Sequence, residues 1–206
     1  PVPSLKEAFA DRNVQLCSLI SILLVSYLVV CWAFMPLYLT EQRGFDPDKV
    51  KWLMATLGIS AGIGSFAVSS LSDYIGRKPA IIGFSFLGII LPLAAMWFTG
   101  NAWVMAAIFF FGWALNGVFP LFMATIPSES VDPRLTASLT GVVMGIGEVI
   151  GGVLSPFLAG ALSDVYGRNS IMWLMLGLCI VAGVVGFGLR ETAPRILAKR
   201  RQYFTV

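Results

Sequence analysis

Glu148 is the one ionisable side chain set deep within an apolar stretch of this 206-residue chain. At 1.5 Å per residue it lies about 20 Å from either end of that stretch. A charge isolated in hydrocarbon is costly, so such a carboxyl faces a bundle interior, carries a proton, or both. Two chemistries suit it: taking up and releasing a proton, or contacting a polar ligand. The plainer alternative is a structural carboxyl bonded to a neighbouring helix. Met144 stands one turn before it, on a stripe with Gly141, Gly145, Gly152 and Ser155. Small residues at that spacing let another backbone approach closely, and Pro156 is expected to kink the helix just beyond. In a separate run, Trp113, Asn116, Pro120 and Met123 share a face at i, i+3, i+7 and i+10. Asn116 is the amide at depth, fit either for a polar ligand or for an interhelical hydrogen bond, and Trp113 is a candidate aromatic wall beside it. Tyr27, near the middle of the first run, is a candidate hydroxyl donor to the same cavity, whereas Tyr38 reads as an interfacial anchor.

Membrane-spanning helices are the elements that must carry these residues. The chain is 57% hydrophobic and 12% charged, about half the charge of an ordinary globular chain. Its apolar runs are about 20 residues or longer, which fits spanning helices rather than barrel strands of about 10. Six are expected: Gln15–Leu39, Trp52–Ser72, Pro79–Phe98, Trp103–Ile126, Leu135–Leu162 and Ser170–Leu189. The fold class is therefore an all-α membrane protein. An even number of spans puts both ends on one side. That side then holds ten basic residues (Lys6, Arg12, Arg77, Lys78, Arg134, Arg190, Arg195, Lys199, Arg200 and Arg201) against four (Arg43, Lys49, Lys51 and Arg168) on the other. The positive-inside rule then makes both ends cytoplasmic, in a plasma or bacterial inner membrane.

Composition also excludes. The chain has no His, and Cys17, Cys31 and Cys179 lie within apolar runs without metal-ligand spacing. No metal site and no cofactor is expected, and the cysteines read as small buried hydrophobes. With no paired carboxylates at depth, no catalytic constellation can be assembled, so an enzyme is not expected. The net charge of +3 resides in loops rather than on one stripe, which argues against a nucleic-acid partner.

A dense charged turn, Ser69-Ser70-Leu71-Ser72-Asp73-Tyr74-Ile75-Gly76-Arg77-Lys78, separates the second and third runs. Gly160-Ala161-Leu162-Ser163-Asp164-Val165-Tyr166-Gly167-Arg168 repeats its Leu-Ser-Asp and its D-x-x-G-R spacing after the fifth run. Copies after the second and fifth of six spans fall on opposite faces, as expected of two three-helix units in inverted topology. The alternative is a tight turn that happens to recur. The first copy resembles the loop signature G-x-x-x-D-R-x-G-R-[RK] of the major facilitator superfamily of secondary transporters. Ser69 stands where that family prefers Gly, and Tyr74 where it prefers a basic residue. Pro127-Ser128-Glu129-Ser130 with Arg134 resembles the family's P-x-E…R loop, and Arg190-Glu191-Thr192-Ala193-Pro194-Arg195 its E-T-x-x-R element.

The resemblance implies the C-terminal six-helix half of such a transporter, built as 3+3 inverted repeats. Residues 1–14 are then a cytoplasmic linker, 15–98 the first repeat, 99–189 the second and 190–206 a basic cytoplasmic tail. The start at Pro1 suggests a fragment or processed product. The implied activity moves a small polar metabolite, an organic acid or a sugar, by alternating access coupled to protons. Glu148 would couple protons, and Tyr27, Trp113, Asn116 and Met144 would line the substrate cavity. Asp73, Gly76, Arg77, Lys78, Glu129, Arg134, Arg190 and Glu191 would form a cytoplasmic latch. No basic residue lies at membrane depth to hold an anion, so the missing N-terminal half or a second copy would have to supply one. The rival readings are a complete half-size transporter working as a homodimer and a non-transporting membrane scaffold.

Overall fold

The computed structural model describes residues 4–204. Pro1–Pro3 of the linker, Thr205–Val206 of the tail, and the side chains of Arg200, Arg201, Tyr203 and Phe204 lie outside the described residues. A one-turn helix, α1 (Leu5–Phe9), opens on a capping box in which Ser4 and Glu7 bond each other's backbone N–H. Six helices long and apolar enough to cross a membrane follow: α2 (Arg12–Gln42), α3 (Pro47–Ile75), α4 (Arg77–Trp97), α5 (Ala102–Ser130), α6 (Pro133–Tyr166) and α7 (Asn169–Gly186). The basic tail is helical as well, α8 (Pro194–Phe204). Each expected span is recovered, and α6 extends four residues beyond its expected end.

Proline shapes these helices from within. A proline has no N–H to give the carbonyl four residues before it, and its ring crowds that carbonyl. Pro92 thus frees the carbonyl of Gly88, and α4 loosens into a turn at Gly88–Ile89. The Tyr27 hydroxyl, reaching across from α2, donates to that carbonyl at 2.9 Å. In α6 the irregularity spans the turns before Pro156, within the glycine stripe itself: Gly147–Val153 widens into a π-helical stretch. In α5 a 3₁₀ segment, Ala114–Val118, precedes Pro120, and a π-helical turn, Leu121–Thr125, follows it.

Glycine sets the closest crossings. A Cβ on Gly117 of α5 would stand 2.4 Å from the Gly64 carbonyl oxygen of α3. One on Gly151 of α6 would stand 2.5 Å from the Ile22 carbonyl oxygen of α2. These are backbone-to-backbone contacts of the kind small residues allow between membrane helices. α2 runs through the middle, where Ile20, Leu24, Tyr27, Val30, Cys31 and Met35 are all fully buried. α3 and α6 are the least enclosed spans, and both expose long apolar faces, among them Phe66 on α3 and Phe157 on α6.

Candidate functional site: a charged network at the helix ends and an open face on the fifth span

At the end of the bundle where α2 begins and α7 ends, the charged turn folds into a network. Gly76 takes φ 107° and ψ 152°, a region open essentially to glycine, and so reverses the chain between α3 and α4. This turn aims the first N–H groups of α4 at Glu191. The Glu191 carboxylate accepts from Arg77 N (2.8 Å) and Lys78 N (3.2 Å), and from its own neighbours Thr192 N (3.1 Å) and Ala193 N (2.9 Å). A carboxylate on a helix N-terminus meets both unpaired N–H groups and the positive end of the helix dipole.

The Arg77 side chain turns inward and is only 9% exposed. Its guanidinium pairs with Asp73 (2.7 Å) and Glu129 (3.1 Å) and donates to Ser72 Oγ (2.6 Å). Thr192 Oγ1 donates to the same Glu129 carboxylate at 2.6 Å. Lys78 Nζ donates to the Phe187 carbonyl at the end of α7. Asn13 joins the start of α2 to the end of α7: its amide donates to Ser130 Oγ and the Arg190 carbonyl, and its oxygen accepts from Arg190 N. The network thus ties together α2, α3, α4, α5 and α7.

Of the residues expected here, Asp73, Gly76, Arg77, Lys78, Glu129 and Glu191 come together. Arg134 and Arg190 do not bring their side chains in. Both are exposed, and they bond through backbone groups alone, Arg134 N donating to Asp132 and Arg190 exchanging N–H and carbonyl bonds with Asn13. Asn13, Ser72 and Thr192 take the places the two arginines were expected to fill. Tyr74 explains its own departure from the family pattern, since the Arg195 guanidinium lies over its ring, 4.7 Å from the centroid.

The residues expected to line a cavity divide in two. Tyr27 and Trp113 are fully buried inside the six-helix bundle, their rings 5.8 Å apart. Asn116 is buried too, its amide donating to the Trp113 carbonyl at 3.3 Å. The Tyr27 hydroxyl is spent on Gly88. All three pack within this six-helix bundle, Tyr27 and Asn116 each donating to a backbone carbonyl. Trp32 of α2, overlooked in the sequence because nothing polar marks it, packs edge-on against Trp113 and is partly exposed.

Met144 and Glu148 lie instead on an exposed face of α6. Glu148 therefore does not face the interior of this bundle, as expected of a costly buried charge. A Cβ on Gly152 would stand 3.3 Å from Glu148 Oε2, 3.7 Å from Val25 and 3.9 Å from Val29, which sets the carboxylate beside Gly152, one turn along its own helix, where that glycine faces α2. Among the described residues no hydrogen bond or ion pair reaches it. It falls within the π-helical stretch Gly147–Val153, a widening that recurs at functional sites in helices.

Six apolar helices with this irregular backbone define a multi-pass integral membrane protein. The family model of the Major Facilitator Superfamily matches residues 16–204, and the chain belongs to that family, whose members are transporters and not enzymes. It is 29% identical over 170 residues to a glucose-6-phosphate exchanger of Xenopus laevis, covering 77% of this chain and 33% of that protein. It is 27% identical over 179 residues to an uncharacterised MFS-type transporter of Yersinia enterocolitica, covering 87% of this chain and 44% of that protein. Over 112 residues it is 36% identical to a gentisate transporter of Corynebacterium glutamicum, covering 52% of this chain and 24% of that protein. The chain thus spans a third to under a half of the length of the first two.

Proposed function

We propose that this chain is the C-terminal six-helix half of a secondary transporter that moves a small polar metabolite by proton-coupled alternating access. The observation that carries the reading is Glu148: an ionisable group at membrane depth, on a face its own bundle leaves uncovered, with no partner among the described residues. A carboxyl so placed is stable only against water or a polar neighbour, and a solute pathway between two halves supplies both. Glu148 is the proton-coupling residue and Met144 lines the pathway beside it. The neighbour is the N-terminal half or a second copy of this chain. Asp73, Gly76, Arg77, Lys78, Glu129 and Glu191 form the latch, with both ends of the chain cytoplasmic as the excess of basic residues there favours.

The substrate is an organic acid or a sugar. The relatives named for glucose-6-phosphate and gentisate favour an anion, and this half offers no basic residue at depth to receive one. Charge recognition therefore falls to the neighbour. The test is uptake by the full native protein in proteoliposomes with an imposed pH gradient, across sugars, sugar phosphates and aromatic carboxylates. Accumulation of one class, collapsing with the gradient, supports the reading; no accumulation of any class contradicts it. The protein's intact mass in its own membrane separates the neighbours: about twice 22.3 kDa for a joined half, near 22.3 kDa for a second copy.

A further inference from the structure

The two copies of the D-x-x-G-R turn adopt one backbone geometry. Gly76 N donates to the Ser72 carbonyl at 3.0 Å, and Gly167 N donates to the Ser163 carbonyl at 2.9 Å. Both glycines close their helix in the glycine-only region, at φ 107° and φ 81°. The arginine after each glycine then reaches a glutamate on another span. Arg77 pairs with Glu129, and Arg168 pairs with Glu41. Glu129 is one residue short of the end of α5, and Glu41 is one residue short of the end of α2. In a 3+3 arrangement α2 corresponds to α5 and α3 to α6, so each arginine makes the same cross-repeat connection at opposite ends of the bundle. A recurring turn accounts for the first likeness but not for the second.

We infer that Arg168 and Glu41 form a second latch, on the face opposite the Arg77 network, that holds that face closed. They are positioning residues, acting through the rim they hold rather than on the substrate. Their surroundings agree. Tyr38, three residues before Glu41, donates its hydroxyl to Asn169 Oδ1 at 2.7 Å, so the end of α2 is tied twice to the start of α7. Arg43, just beyond, donates to the Met96 and Phe98 carbonyls at the end of α4. The rim of α2, α4, α6 and α7 is gathered by these side chains, and among the described residues only the Arg168–Glu41 link is an ion pair across it. At 37% and 47% side-chain exposure this pair is wetter than Arg77 with Glu129, which makes it the weaker and more easily broken of the two.

The inference rests on alternating access as proposed above, and one experiment tests the two apart. Cys17, Cys31 and Cys179 are fully buried, so once the cysteines outside this chain are replaced by Ser, a reporter thiol placed by Gly145→Cys, with open space around it one turn from Glu148, reacts alone. The full native protein is labelled with a membrane-impermeant maleimide in right-side-out and inverted vesicles. Arg77→Ala is expected to favour labelling from the Arg77 side. Arg168→Ala and Glu41→Gln are expected to favour labelling from the Arg168 side, by about two- to fivefold, the range within which a half-exposed pair biases a two-state equilibrium. Exchanging the charges, Glu41→Arg with Arg168→Glu, should restore the starting ratio, which a merely structural loss would not allow. A shift with Arg77→Ala but none, or one of the same sign, with Arg168→Ala and Glu41→Gln overturns the second latch and leaves alternating access standing. No shift with any of them overturns both. Arg168→Lys, which keeps the charge, carries the same test if Arg168→Ala fails to fold, with a smaller shift of the same sign expected.

Discussion

Gly76→Ala and Gly167→Ala put the same side chain onto nearly the same backbone, and the structure separates their costs. Both residues sit where an L side chain is strained by about 1–3 kcal/mol. At Gly167 that is the whole effect, because a Cβ there has nothing within 4 Å. At Gly76 the Cβ would stand 2.4 Å from Glu191 Oε2 and 3.1 Å from Pro79 Cδ. The Glu191 side chain must move and abandon the first N–H groups of α4, a loss on the scale of an N-cap, about 0.5–2 kcal/mol. Gly76→Ala should therefore cost roughly 1.5–5 kcal/mol, and Gly167→Ala about 1–3. Thermal unfolding in detergent, followed with a thiol-reactive fluorophore, reads this directly because all three cysteines are buried. In a Glu191→Ala background the excess at Gly76 should vanish, since the colliding carboxylate is gone. An equal loss at the two glycines, or an excess that survives Glu191→Ala, would refute the reasoning that Glu191 caps α4 through this turn.

Further outcomes follow from single contacts. Arg77→Ala leaves Glu129, 19% exposed, with the Thr192 hydroxyl but no cation, and weakens Asp73, 49% exposed. The first loss costs about 1.5–3 kcal/mol and the second at most about 1. Arg77→Lys should recover only part of it, lacking the planar fork that reaches three partners; both are read by the same unfolding assay. Tyr27→Phe orphans the Gly88 carbonyl and should cost about 1–3 kcal/mol while leaving the KM for uptake unchanged. A raised KM would return Tyr27 to the substrate pathway. Gly117→Ala forces α3 and α5 apart against a backbone carbonyl and should cost about 1–3 kcal/mol or abolish folded expression, measured by monodisperse yield.

Charges are rare in this chain, and that is why the sequence displays so much of the network. Asp73, Arg77, Glu129 and Glu191 stand out at the ends of apolar runs, and the family's motifs group them. Arg134 and Arg190 share those motifs but lie exposed, because motif membership does not say which way a side chain turns. The six spans were legible from length and apolarity alone. Which side of a span faces inward was not, since helices apolar all round show no stripe to read. Tyr27, Trp113 and Asn116 drew attention as polar groups at depth, and depth alone does not separate core from cavity. One further step would have placed Tyr27: Pro92 must orphan the Gly88 carbonyl, and a hydroxyl at matching depth is its natural partner. The pairing of Arg168 with Glu41 was hidden by distance along the chain, although the repeated turn pointed to it.

The most direct test of the central claim is transport by Glu148→Gln in the full native protein, reading substrate exchange and pH-driven accumulation side by side. Exchange preserved while accumulation against a gradient is lost is the result the account predicts, because the amide keeps the shape of the pathway and cannot carry a proton. Accumulation that still follows the pH gradient would contradict it and return Glu148 to a structural role.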